Sequence, residues 1–126
     1  FIIINKDRKM KRLIAVLVLL SCAMPTLANI ATIKGATIQK TLLQEGSFGG
    51  CMISLDKSIK DAGLSCPDSN WVSLDCDGAY SSKAAAQRML DSAQLAFVMN
   101  KEVFILVDDS KKHNDYCVAT RIIILK

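Results

Sequence analysis

The sequence is short of the residues that metal and proton chemistry need. It has one histidine, His113, and no two cysteines share C-x-x-C spacing, so neither a zinc site nor another metal or cofactor centre is expected. The longest apolar run, Leu13 to Leu20, falls well short of the about 20 residues that span a bilayer. Repeats and low-complexity tracts are absent, and no Ser/His/Asp or paired-carboxylate arrangement is legible. A clustered basic body is missing too. The chain carries 16 Lys and Arg against 12 Asp and Glu, but Lys6, Arg8, Lys9, Lys11 and Arg12 face Asp7 alone in residues 1–28, which leaves the rest formally neutral. A neutral body lacks the positive surface from which phosphate binding draws its affinity, and this excludes DNA or RNA as the principal partner.

What is present begins with a leader. Met10-Lys11-Arg12, the apolar run Leu13–Leu20 and the small-residue ending Ser21–Ala28 are the three parts of a secretory signal peptide. Residues 1–9 precede a candidate initiator, Met10, and read as upstream, non-native sequence. Thr26-Leu27-Ala28 fits an A-x-A-like cleavage pattern, so cleavage is expected after Ala28. Residues 29–126 then form a single domain, secreted or periplasmic, with no membrane span in the mature chain. Two competing readings are a retained anchor and a lipoprotein lipidated at Cys22, for which Leu20 is a poor fit where a small or β-branched residue is usual.

Removal of Cys22 with the leader leaves Cys51, Cys66, Cys76 and Cys117, an even number in a small exported domain, which favours two disulfides over a catalytic thiol. A body of this size has a modest core, to which each bridge adds typically 2–4 kcal/mol.

Strand signals recur along the body. Ala36–Leu43 and Cys51–Leu55 are rich in β-branched and apolar residues and are separated by the turn Gly46-Ser47-Phe48-Gly49-Gly50. Turn residues fill Asp56–Asn70, where one short helical turn is expected near Ser58–Ala62. Trp71–Cys76 alternates, with Val72, Leu74 and Cys76 pointing one way and Trp71, Ser73 and Asp75 the other. Ser82 then caps an amphipathic helix over 83–99 that carries Ala86, Met89, Leu90, Ala93, Ala96 and Phe97 on its apolar side. Two further apolar runs, Val103–Val107 and Val118–Leu125, flank a polar loop and suit strands covered on both faces.

Five strands with one helix between the third and fourth is the order of the OB-fold, a small, mainly β, Greek-key barrel. That topology selects among the three pairings open to four cysteines. Strands two and three form a hairpin that sets Cys51 beside Cys76, and strands three and five run parallel at the closure, which brings Cys66 toward Cys117. Cys76 paired with Cys117 would join opposite ends of parallel strands, roughly 20 Å apart at about 3.3 Å per residue, whereas a disulfide needs α-carbons within about 7 Å. Given the barrel, the bridges are Cys51–Cys76 and Cys66–Cys117.

Chemistry concentrates in Asp108–Tyr116, the expected loop between the last two strands. A functional reading gives His113 a proton-transfer role with Asp109 or Asp115 as its orienting partner, as in a secreted hydrolase. The competing reading is a solvated hairpin loop kept soluble by mixed charge. Binding is the better supported role: Trp71 and Tyr116 offer ring faces to sugar C–H groups, with Asp75, Lys111 and Asn114 as hydrogen-bonding neighbours. Trp71 also suits core packing, Tyr80 ahead of the helix has the same two readings, and Phe48 suits either an exposed contact or a staple on the barrel end.

The passage Leu90–Ile105, together with Cys76 before the helix and Cys51 on an earlier strand, resembles the receptor-binding B subunits of subtilase-cytotoxin and pertussis-like toxins. The likeness spans residues 51–107 and lies in spacing and pattern more than in identities. It implies a secreted, non-enzymatic OB-fold subunit of a virulence toxin that binds host-surface glycans, assembles as a homo-oligomer, a pentameric ring, and carries an enzymatic A subunit. The family's sugar contacts fall near the first strand and on the fourth, where this chain reads Val103-Phe104-Ile105-Leu106-Val107, so no glycan residue transfers. The alternative is a stand-alone periplasmic or secreted OB-like protein, an inhibitor or envelope factor with an unknown ligand.

Overall fold

The computed structural model describes residues 27–126; the expected leader, Cys22 included, lies outside the described residues apart from Leu27 and Ala28. Five strands, β1 (Ile30–Leu43), β2 (Cys51–Leu55), β3 (Trp71–Ser73), β4 (Glu102–His113) and β5 (Tyr116–Ile124), close a barrel in the order β1-β2-β3-β5-β4. The helix α1 (Lys83–Val98) lies between β3 and β4 in sequence, and β3 meets β5 in parallel at Ser73↔Val118. This is the five-stranded OB-type barrel that the element order predicts. Among the described residues no helix is long and apolar enough to cross a membrane.

Closure depends on one long strand shared by two partners. The first half of β1 pairs with β4, Ile33↔Ile105 and Ala36↔Val103, and the second half with β2, Ile38↔Leu55 and Leu43↔Cys51. Within the β4-paired half the register shifts at Gly35, between Ile33 and Ala36, where the φ of 63° is one a side chain would resist. That bulge explains why β1 begins at Ile30 rather than at the predicted Ala36: the chain turns the corner without leaving the sheet. Val72, Val103, Ile105 and Val107 point inward with Ile53, Leu55 and Leu74 to form the core.

The helix forms as its pattern dictates. Ser82 Oγ accepts from Ala85 N at 3.1 Å, and Ala86, Leu90, Ala93 and Ala96 are buried against the sheet. Three of the four are alanines, so the helix backbone lies close to the barrel. Phe97, assigned to the apolar face by periodicity, is instead exposed, as are Leu95, Val98 and Met99 around it.

The four cysteines form Cys51–Cys76 and Cys66–Cys117, with Cα–Cα distances of 5.6 and 5.8 Å. Bridges of this kind persist in oxidising compartments. Cys66–Cys117 ties the long connection, with its single 3₁₀ turn at Lys60–Ala62, to the start of β5.

Two elements depart from the sequence reading. Residues 108–116 are not a solvated loop: β4 runs on to His113, β5 starts at Tyr116, and Asn114 and Asp115, with φ of 49° and 70°, make a two-residue turn of the type right-handed strand twist favours. And β3 stops at Ser73, so the predicted outward set is wrong at two positions. Ser73 and Asp75 are fully buried because the turn before β2 and the β4–β5 hairpin tip cover that face.

Candidate functional site

The site is built on an irregularity in β4. Asp108 pairs with Val118 but Lys112 with Cys117, so Asp109, Ser110 and Lys111 bulge from the ladder. Asp108 stabilises the bulge locally, with Oδ1 accepting from Ser110 N at 2.9 Å and from Ser110 Oγ at 2.6 Å while Lys111 Nζ stands 3.5 Å from Oδ2. Burial pushes the Asp108 carboxyl up, but these donors and the Lys111 charge outweigh it and hold the group below the usual range. The bulge sends Lys111 toward α1.

Between α1 and β5 a cleft of about 410 Å³ opens there. Arg88 from the helix, Arg121 from β5 and Lys111 from the bulge surround it, with Tyr80, Ser81, Ser92 and Thr120 also in its lining; the hydroxyls of Tyr80, Ser81 and Ser92 donate to Lys112 O, Asp75 Oδ2 and Arg88 O. Its floor is apolar, formed by Met89, Val118, Ala119 and Ile122. Among the described residues neither Arg88 nor Arg121 has an ion-pair partner. Asp75 is the single acidic group of the lining, and its charge is already committed.

Asp75 organises the wall next to the helix. Its Oδ1 meets His113 Nε2 at 2.6 Å and accepts from Ala79 N at 3.1 Å; Oδ2 accepts from Tyr80 N, Ser81 N and Ser81 Oγ at 2.9, 2.8 and 3.1 Å. Burial raises the Asp75 carboxyl, and the His113, Tyr80 and Ser81 hydrogen bonds more than reverse this, so it is held below the carboxylate norm. The loop between β3 and α1 is thereby fastened to the hairpin tip. Tyr80 completes the clasp: its hydroxyl donates to Lys112 O at 3.0 Å and its ring meets His113 edge-on, centroids 5.2 Å apart. Only a glycine fits beneath, because a Cβ on Gly49 would stand 2.5 Å from Ser73 Oγ and 2.6 Å from His113 Cδ2.

The residues singled out from sequence fall into three places. Asp75, Tyr80 and Lys111 border the cleft, and His113 stands behind them on Asp75. The expected orienting partner of His113 is therefore corrected: neither Asp109 nor Asp115 but Asp75, which lies in the loop just beyond β3 and meets the hairpin tip. Asn114 and Tyr116 lie apart at the hairpin tip, where Asn114 Oδ1 accepts from Phe48 N at 2.7 Å and Phe48 packs edge-on against Tyr116 at 5.6 Å, so Phe48 is a staple. They border a smaller cavity of about 230 Å³ with Pro67, Asp68 and Asp115. Trp71 is half-buried at the start of β3 and borders neither cavity. Arg88, Ser92, Thr120 and Arg121 are the lining residues that sequence reasoning passes over. The available signal was Arg121, a lone cation in the apolar run of β5, and Arg88 with Ser92 one helical turn apart.

A scan against protein-family models finds no match to this chain, and searches of the curated proteins and of the solved structures find none either.

Proposed function

We propose that this is an exported, non-enzymatic binding protein that takes an acidic saccharide of a host-surface glycan into the cleft between α1 and β5. The observation that carries this reading is the lining itself: two arginines without carboxylate partners and one lysine, interleaved with hydroxyls over an apolar floor. Arginine forks recognise planar anions bidentately, hydroxyls serve a polyol, and aliphatic carbons suit the C–H face of a sugar ring. The volume lies within the range of small-molecule sites, about 300–1,000 Å³. Two disulfides in so small a domain support life outside a reducing compartment. A binding role also suits His113, whose Nε2 is engaged with buried Asp75 instead of facing the cleft as a free base.

The same reading covers assembly. The exposed Leu95, Phe97, Val98 and Met99 at the end of α1 supply apolar surface for contact between copies in a ring, with an enzymatic subunit as the further partner of such an assembly. The test is a glycan array probed with the exported protein, alongside Arg88→Ala and Arg121→Ala. Binding restricted to carboxylated or sulfated glycans and lost in both variants is the expected result. Binding to neutral glycans, or binding unchanged in the variants, overturns the assignment. Sedimentation as a monomer at micromolar concentration overturns the ring.

A further inference from the structure

The β4 bulge carries a second buried carboxylate, aimed away from the cleft. Asp109 Oδ2 accepts from Ser65 N at 2.9 Å, and Oδ1 accepts from Asn29 N at 2.8 Å. The second contact is reciprocal, since Asp109 N donates to Asn29 O at 3.0 Å and so fixes Asn29 immediately ahead of β1. Leu27 and Ala28 are exposed just beyond it and border a cavity of about 550 Å³ with Asn29, Ser65, Tyr80, Asp109, Ser110 and Lys112. A buried carboxylate that spends one oxygen on the backbone nitrogen of the residue immediately ahead of β1 is poised to receive a charge there.

We propose that the Ala28–Asn29 bond is the processing site of the exported chain and that Asp109 is the receptor for the α-ammonium that processing creates. The proposal rests on the export reading above. Hydrolysis by a membrane-bound export peptidase adds one water across the amide: the Ala28 carbonyl carbon leaves as a carboxylate on the leader, and Asn29 N becomes –NH₃⁺. The nitrogen already stands at the length of a charge-assisted hydrogen bond, about 2.7–2.9 Å. Cleavage one residue to either side would displace the ammonium by about 3.3 Å along the extended chain, out of reach of Oδ1. The precursor makes an amide contact here, whereas the processed chain makes an ion pair that the precursor lacks.

The other charges facing the pair come from β4 and the loop ahead of α1. Lys112 favours the Asp109 anion, Asp108 opposes it but is occupied by Ser110 and Lys111, and Tyr80 is bound to Lys112 O. Pairing raises the α-amine above its ordinary value of about 7.7–8.0, while hydrogen bonds from Ser65 N and Asn29 N already hold Asp109 below the carboxylate norm. The ammonium's contribution is full below the unfolded amine pKa and is lost as pH rises through the raised one. The carboxylate's is present above about pH 3.9 and is lost as pH falls through the depressed one.

The experiment exports the full chain from a bacterial host, sequences the amino terminus of the product and titrates its α-amine by ¹⁵N NMR, in the wild type, in Asp109→Asn and in Asp115→Asn as an exposed-turn control. The expected results are Asn29 as first residue and an amine that titrates at least about one unit above 8.0, returned to the ordinary range by Asp109→Asn and left raised by Asp115→Asn. Should Asp109→Asn not fold, the wild-type titration alone decides. Cleavage at another bond overturns the processing site with export intact; an uncleaved chain overturns both. Asn29 as first residue with an ordinary amine pKa overturns the role of Asp109 and leaves export standing.

Discussion

The helix α1 and the loop 75–81 ahead of it are neighbours in sequence and lie on the same side of the barrel, yet they are held there by opposite means. The helix presents a stripe of Ala86, Leu90, Ala93 and Ala96 and is held by burial of apolar surface. The loop presents little apolar surface and is held by polar and covalent ties: the Cys51–Cys76 bridge, the Tyr80 hydroxyl on Lys112 O, and above all one carboxylate, Asp75, on which Ala79 N, Tyr80 N, Ser81 N, Ser81 Oγ and His113 converge. Apolar contact spreads its energy over many weak pairs, so no single atom is decisive. A buried carboxylate concentrates it, and loss of that one group strands several donors at once.

The contrast makes graded predictions. Asp75→Asn is expected to cost the most, about 3–5 kcal/mol in urea unfolding, because His113 and the loop amides lose a buried charged partner. Leu90→Ala is expected to cost about 2–4 kcal/mol through the cavity it leaves. The two separate further with pH. Asp75, Asp108 and Asp109 are all held below the ordinary carboxylate value, so their stabilisation is present above about pH 3.9 and is lost as pH falls through the depressed folded-state values. Unfolding measured at pH 7 and pH 2.5 should show the Asp75→Asn increment shrinking while the Leu90→Ala increment persists. An Asp75→Asn increment that is equal at both pH values would mean that shape, not charge, holds the loop. Smallest is Ser82→Ala, about 1 kcal/mol, which removes one cap and leaves the packed stripe in place.

The same contrast explains what could be read in advance. Helix α1 was legible because its cap and three- and four-residue spacing are local, and the disulfide pairing followed once the strand order was known, since parallel closure of β3 on β5 fixes which cysteine lies near which. Asp75 was misplaced for the converse reason: strand alternation puts it outward beside Trp71 and Ser73, but β3 pairs for only three residues and Asp75 turns inward with φ of 61°. Phe97 failed in the other direction, since periodicity marks a face without saying how far along the helix the barrel reaches. The apolar lettering of β5 concealed Arg121, and the cleft required Arg88, Lys111 and Arg121 to come from three elements whose separation in the chain carries no information about their meeting.

Hydrophobic spacing, turn residues and cysteine count were enough to specify a small bridged barrel with one helix, because each acts through neighbours a few residues apart. The positions of the charged groups were settled by folding alone. A bulge in β4 turned Asp109 toward Asn29 and Lys111 toward the helix, and the loop just beyond β3 set Asp75 on His113. Charges interact through space across the low-dielectric interior, and which of them come within about 3 Å depends on the register of strands that the chain's order leaves open.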